Sequence, residues 1–315
     1  KSAICGKVSK LYPDFVHGSN RLTQPLRRIG PKGEGKFEAI SWDQAMDLIH
    51  EKFQDAIDKY GPETIMPLNY AGPHGMLAGG SMDLRFFHQL GATVLSRRPL
   101  CGGIKSEAWA GTFGAIAGVQ MTDLEQSDMI VVWGNNVSYS NLHLAPVLQR
   151  LRDRGGKVVV VDPKRIKVAE QADLHLALRP GTDIVLAFAL AAELERRGAF
   201  DTDFIARMVE GAEDFMAQAR PFSIERAAEI TGLAVDDILQ LASWYHGADA
   251  AALAVGNGLE RNRNGGAGIR AIFALPALTG KFQHPAAGLV GGSGNLFPKT
   301  MGKLARPDLI PEGTR

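Results

Sequence analysis

Four short stretches of this sequence share a pattern that ligand chemistry can use. WGNNVSYSN, VDPKR, RPGTD and GNGLERN each place glycine or small polar residues directly after an apolar run. Gly134 and Gly256 allow close approach of main chain, because a residue without Cβ leaves the backbone bare. Asn135, Asn136, Ser138 and Ser140 offer neutral donors, and Asp162 and Asp183 can accept from ribose hydroxyls or a guanine edge. A helix that starts after such a loop adds unpaired N–H groups and a partial positive charge, which together suit a phosphate. Any one of these loops is as readily a plain turn, since Gly, Asn and Ser are turn formers in their own right. Four of them favour a nucleotide-like ligand.

Neither common nucleotide fingerprint fits. The dinucleotide pattern G-x-G-x-x-G is absent from WGNNVS, and GNGLER holds two of its three glycines. The pattern G-x-x-x-x-G-K-[ST] is absent as well, so a plain dehydrogenase or NTPase is disfavoured. The chain has two cysteines, Cys5 in AICGKV and Cys101 in RRPLCGGIKSE. A thiolate at 101 is a soft metal ligand, while the plain alternative is a small hydrophobe buried in a turn. His74 and His143 can carry a proton, although His143 is better placed to cap a helix. Trp109 and Phe113 line a pocket or belong to a core, and Arg97 and Arg98 attract an anion or are simply solvated.

These residues need elements that hold them in place. DMIVVWG reads as a buried strand ending at Gly134, LHLAPVLQRLRDRG as a helix and KVVVVDP as a second buried strand. Strand, loop, helix and strand in this order form a βαβ unit, and near-continuous valine strands point to a parallel sheet covered on both faces. LHLALRPG and AALAVGNGLER read as further strands. TDIVLAFALAAELERRG (capped by Thr182 or Asp183), SIERAAEI, AVDDILQLASWYHG and GAGIRAIFALPALTG read as helices. The expected fold is α/β, with a doubly wound, mainly parallel, Rossmann-like sheet domain over 120–270 and a second α/β domain over 37–119 and 271–315. Residues 1–36 read as an extended segment. In the second domain, a helix runs from Ala45 to Ile57 between a Ser41 cap and a Gly61 stop. TIMPLNY and ATVLS are expected as strands, with a helix between them near Met82 to Gln89. Ligands bind outside the carboxyl ends of strands in such sheets, which is where all four loops fall.

Composition narrows the classes. The 315 residues carry a net charge of +1, with no basic field for nucleic acid. Two cysteines cannot build a disulfide framework, and no apolar run is long enough for a membrane span.

AICGKV, NRLTQPLRRIGPKGEGKFEAISWDQAMDLI, SDMIVVWGNN, KVVVVDPKR, ADLHLALRPGTD, EITGL and RAIFALPALTG together resemble the molybdopterin oxidoreductases of the dimethyl sulfoxide reductase superfamily. The resemblance runs from Cys5 to about Gly292, and the closing SGNLFPKTMGKLARPDL is similar to a less characterised branch. It implies a bis-molybdopterin guanine dinucleotide cofactor with Mo or W. Gly134, Asn135, Asn136 and Ser140 would line one dinucleotide, Asp162 and Lys164 its ribose and phosphate, and Gly181, Thr182 and Asp183 its guanine. Lys164 stands where the family usually has arginine, which exchanges a planar fork for a point charge. Gly256, Gly258 and Arg261 would serve the second pterin, approached by the loop Ala71 to Gly75. Cys101 would be the Mo or W ligand. Gly102 follows it where formate dehydrogenases of the family carry histidine, a departure from that pattern. Cys5 would be the last ligand of a [4Fe–4S] cluster whose other ligands lie outside this chain, with Lys7 between cluster and pterin.

The implied activity is two-electron redox or oxygen-atom transfer on a small substrate, with electrons passing through the cluster. An iron–sulfur or haem electron-transfer subunit is the implied partner. The alternatives are a non-redox hydratase or hydroxytransferase on the same cofactor, and a cofactor-free electron-conduit subunit. The resemblance also implies a further domain beyond residue 315.

Overall fold

The computed structural model describes residues 6–68, 82–95, 102–114, 118–291 and 301–314. Cys5, the loop Ala71 to Gly75 with His74, Arg97, Arg98, Cys101 and the side chain of Lys7 lie outside the described residues. The chain divides into two compact units, Tyr12–Arg97 with Phe297–Arg315, and Lys1–Leu11 with Arg98–Leu296.

In the first unit, GPKGEGK turns the chain back through Gly33 (φ +100°) and Gly35 (φ +68°), values that favour glycine. Strand β1 (Leu26–Arg28) therefore pairs antiparallel with β2 (Phe37–Ala39), Leu26 opposite Ala39. Ile29 N–H donates to Lys36 O at 3.1 Å, and Arg27 pairs with Glu38 across the hairpin. This corrects the reading of 1–36 as extended: short helices at Gly6–Lys10 and Tyr12–His17 precede a hairpin. Helix α1 (Trp42–Tyr60) has the expected ends. Ser41 Oγ accepts from Gln44 N–H, and Gln44 Oε1 accepts from Ser41 N–H in return. Gly61, at φ +85°, stops it. Helix α2 (Met82–Leu90) follows, tied by Arg85 Nε to Leu304 O at 3.1 Å. TIMPLNY and ATVLS make no ladder in their described parts. A single bond joins Thr93 N–H to Ile65 O at 3.0 Å, and Pro67 has no N–H to extend the pairing.

The second unit is built on five parallel strands, in the order β5-β4-β3-β6-β7. They are β3 (Met129–Trp133), β4 (Lys157–Val161), β5 (Leu174–Leu176), β6 (Ala251–Val255) and β7 (Gly288–Leu289). Its main helices are α3 (Gly103–Phe113), α4 (Leu144–Asp153), α5 (Asp183–Arg196), α6 (Thr202–Met208), α7 (Ala212–Ala219), α8 (Ile224–Thr231), α9 (Val235–Gly247) and α10 (Gly265–Leu278). Alternation along β3 explains the unbroken apolar run. Met129, Val131 and Trp133 face a layer containing Leu186, Leu190, Leu241 and Ile272. Ile130 and Val132 face Leu144, Leu148 and Leu151 of α4. A parallel sheet needs both faces covered, and this one has both.

The α/β, Rossmann-like reading of this region is what the structure has, and the sheet unit extends past the expected limits of 120 and 270. β7 pairs with β6, Ala252 opposite Gly288, and Trp109 of α3 packs edge-on against Phe273 of α10 at 4.9 Å. The described residues of 102–119 and 271–291 consequently cluster with the sheet. Trp109 is a core residue, 4% exposed. Helices α3, α6 and α7 and strand β7 were absent from the sequence reading.

Candidate functional site

All five strands are parallel, so their carboxyl ends share one edge. The winding reverses at β3, with β4 on one side and β6 on the other. Loops diverge at such a point and leave a crevice, which is where ligands enter open α/β sheets.

The loops after β3 and β6 interlock backbone to backbone. Gly256 N–H donates to Trp133 O at 2.8 Å, Gly258 N–H to Gly134 O at 3.2 Å, and Gly134 N–H to Val161 O at 2.8 Å. A Cβ on Gly256 would lie 2.2 Å from Gly134 O, and one on Gly258 2.9 Å from the same atom. Gly134 has φ +56°, and its Cβ would meet Leu259 Cδ1 at 2.3 Å. The close approach expected of these glycines is therefore made between the loops themselves. Asn135 is buried as a brace: its Nδ2 donates to Ala254 O at 3.4 Å and its Oδ1 lies 3.2 Å from the Ser140 hydroxyl. The same hydroxyl is 2.9 Å from Asn136 O, and its one proton serves either acceptor. Asn136 Oδ1 is buried and accepts no hydrogen bond.

At the end of β4, Asp162 Oδ1 accepts from Lys164 N–H at 2.8 Å, a local turn that leaves the side chains of Lys164 and Arg165 exposed. Its carbonyl lies 2.9 Å from His175 Nε2. Beyond β5, Gly181 takes φ +84°, and its carbonyl accepts from Asn264 Nδ2 at 3.2 Å. Thr182 does not cap α5; its hydroxyl donates to Arg179 O at 2.7 Å. Asp183 opens the helix, and its Oδ1 accepts from Trp133 Nε1 at 2.8 Å. Burial pushes the Asp183 carboxyl above the usual range; the Trp133 bond and its own backbone amide oppose this, and the Asp162 charge adds to it. Asp162 and Asp183 therefore stand near enough for the charge of one to act on the other.

Sequence reasoning missed Trp133, Lys105 and Glu260. A tryptophan at the end of a buried strand reads as core, and only its N–H, which usually finds a partner when buried, hints at Asp183. Lys105 Nζ donates to Val255 O at 3.3 Å, at the carboxyl end of β6. A Cβ on Gly102 would stand 3.6 Å from Asn257 Nδ2, so the residue after Cys101 lies against the β6 loop. Arg261 is exposed on that loop. His143 heads α4 without a side-chain capping bond, so the expected cap is not made. Among the described residues, no three His, Cys, Asp or Glu side chains gather as metal ligands, and no helix is long and apolar enough to cross a membrane.

The donor set suits a ligand rich in N–H groups. A buried amide oxygen without a partner at Asn136 and a half-buried carboxyl at Asp183 both accept, and a purine or pterin edge donates. Residues 21–296 match the family model described as Molybdopterin oxidoreductase. The chain is 32% identical over 307 residues to the probable oxidoreductase YoaE of Bacillus subtilis (strain 168), covering 98% of this chain and 45% of that one. It is 30% identical over 318 residues to acetylene hydratase of Syntrophotalea acetylenica, covering 99% and 42%. The solved structure of acetylene hydratase from Pelobacter acetylenicus aligns with a TM-score of 0.75 at 27% identity, over 98% of this chain and 42% of that chain. The chain spans under half the length of these relatives.

Proposed function

The chain belongs to the molybdopterin oxidoreductase family, and on that footing we propose that the full-length protein is a molybdenum or tungsten enzyme performing two-electron redox or oxygen-atom transfer on a small substrate. The observation that carries this reading is four polar loops on the carboxyl edge of one parallel sheet, with a buried amide oxygen at Asn136 and a half-buried carboxyl at Asp183. When bound, the bis-molybdopterin guanine dinucleotide cofactor supplies a metal that exchanges two electrons with substrate.

The chain's own residues bind and orient. Asp183, held by Trp133, accepts from the guanine edge beside Gly181 and Thr182. Asp162 faces the ribose, and Lys164 gives the phosphate a point charge rather than a fork. Asn136 accepts from the dinucleotide, while Gly134, Asn135 and Ser140 hold the loop that presents it. Gly256, Gly258 and Arg261 flank the second pterin. Cys101 supplies the thiolate ligand to Mo or W. Cys5 would be a ligand of a [4Fe–4S] cluster and Lys7 would lie near it, and the cluster would supply one-electron transfer to an iron–sulfur or haem subunit.

Elemental analysis of the full-length protein for Mo, W and Fe, with pterin fluorescence after acid oxidation, tests the reading. One Mo or W, two pterins and about four irons per chain are expected for such a cofactor set. Iron without pterin would leave the electron conduit, and neither metal would remove the proposal. A hydration reaction on the same cofactor is a second reading, favoured by the match to acetylene hydratase across 98% of the chain. Redox titration of the metal during turnover separates the two, since hydration leaves its oxidation state unchanged.

A further inference from the structure

An open groove of about 710 Å³ runs along α4, between that helix, the segment after β4 and the residues that follow the helix Gly6–Lys10. None of the residues assigned to the cofactor lines it. Its floor is apolar: Leu142, Pro146 and Val168 are partly or fully buried. Lys10, Arg152 and Lys167 also line it, and no acidic residue does. Arg150, elsewhere on α4, is paired with Glu125. None of the three groove cations pairs with an acid among the described residues. Arg152 is held by amide oxygens instead. Its Nη1 donates to Gln171 O at 2.9 Å, and its Nη2 to Gln149 Oε1 at 2.6 Å and Gln171 Oε1 at 2.9 Å. These acceptors are neutral, so the position of the guanidinium is fixed while its charge is left over. The three charges therefore add in a groove whose floor is apolar.

A small anion needs donors that converge on it, and Arg152 has turned its Nη groups to amides. A bilayer presents a flat face, which a concave surface does not meet. A protein segment with acidic and apolar side chains matches both the charge and the floor. We propose that this groove docks an acidic segment of a partner protein. On the proposed function, on which this clause alone rests, the partner is the electron carrier: Ser9 of the groove follows Cys5 by four residues, a reach of at most about 14 Å.

The test uses the full-length protein as purified, with an acidic [2Fe–2S] ferredoxin as the probe and a basic c-type cytochrome as its opposite in charge. Association is followed by surface plasmon resonance from low to high salt. Hydroxyl-radical footprinting reads Tyr139, a groove residue 59% exposed. The wild type should bind ferredoxin and not cytochrome, with an association rate that falls as salt rises. Tyr139 should be labelled several-fold more slowly in the complex. K10E/R152E/K167E should associate with ferredoxin at least about tenfold more slowly, and its Tyr139 labelling should no longer respond. Absence of ferredoxin binding by the wild type, equal binding by the variant, or equal binding of both carriers overturns the inference. So does a Tyr139 already protected in the full-length protein alone, which would give the groove to the protein's own chain or to a second copy. Should the triple variant not accumulate, K10E/K167E leaves the three bonds of Arg152 intact; a several-fold loss is expected, and its absence is a refutation. If the wild type holds no iron, the electron route of the proposed function fails, and ferredoxin binding still decides whether the groove takes an acidic protein.

Discussion

Replacing Gly256 by alanine separates packing in the interlocked loops from any contact with a ligand. Gly256 has φ −92°, which alanine adopts without strain. The new Cβ would stand 2.2 Å from Gly134 O, 2.6 Å from Asn135 Cα and 2.7 Å from Asn135 Cβ. Ordinary contact begins at 3.4 Å, so the loop after β3 must retreat by more than 1 Å. Retreat strains the bonds from Gly256 N–H to Trp133 O and from Gly258 N–H to Gly134 O. Overpacking costs roughly 1–3 kcal/mol and each of the two weakened bonds about 1 kcal/mol, so a loss of about 3–5 kcal/mol is expected. At roughly 2–4 °C per kcal/mol for a unit of this size, Tm should fall by about 6–20 °C. Gly155→Ala is the control, since Gly155 has φ +82° and nothing within 4 Å of its Cβ position. It should cost only the roughly 1–2 kcal/mol of the left-handed conformation. Thermal unfolding of both variants in the full-length protein decides the matter. A G256A midpoint within 2 °C of wild type, or no lower than that of G155A, would refute the interlock reasoning.

Three further outcomes follow from the same geometry. Burial raises the Asp183 pKa, so its contribution to stability is full below the unfolded carboxylate range and is lost as pH rises to the folded value. Urea unfolding across pH should show this decline in the wild type and not in D183N, and equal slopes would show that Asp183 titrates as in the unfolded chain. Ser41→Ala removes half of an exposed capping box and should cost about 1 kcal/mol, read as a lower urea midpoint at unchanged slope. Cys101→Ser should lower bound Mo or W and turnover together, and unchanged values for both would remove Cys101 as the ligand.

The interlocked glycines also change what a glycine-rich loop means in this chain. Gly134, Gly256 and Gly258 are each required by a neighbouring loop before any ligand is considered. Together they draw the loops after β3 and β6 against one another. Asn135 and Ser140 brace that arrangement through bonds to Ala254 O, to Asn136 O and to each other.

Local pattern alone determined the parts of this protein whose causes are local. Burial of β3 and β4 on both faces, the Ser41 cap, the Gly61 stop and the order of the four polar loops follow from residue type and spacing within a few positions. The resemblance to molybdopterin oxidoreductases was legible for the same reason, as a set of short motifs in fixed order. Tertiary structure decided what depends on partners far apart in the chain. Trp133 and Asp183 are 50 residues apart, and Asn135 and Ala254 are 119 apart. A hydrogen bond over that separation has no periodicity to betray it. The hairpin of β1 and β2 needed the turn at Gly33 and Gly35 to bring apolar and charged residues into register. Glu260 is the clearest case: beside Arg261 it reads as a solvated charge, and only the folded structure shows it buried.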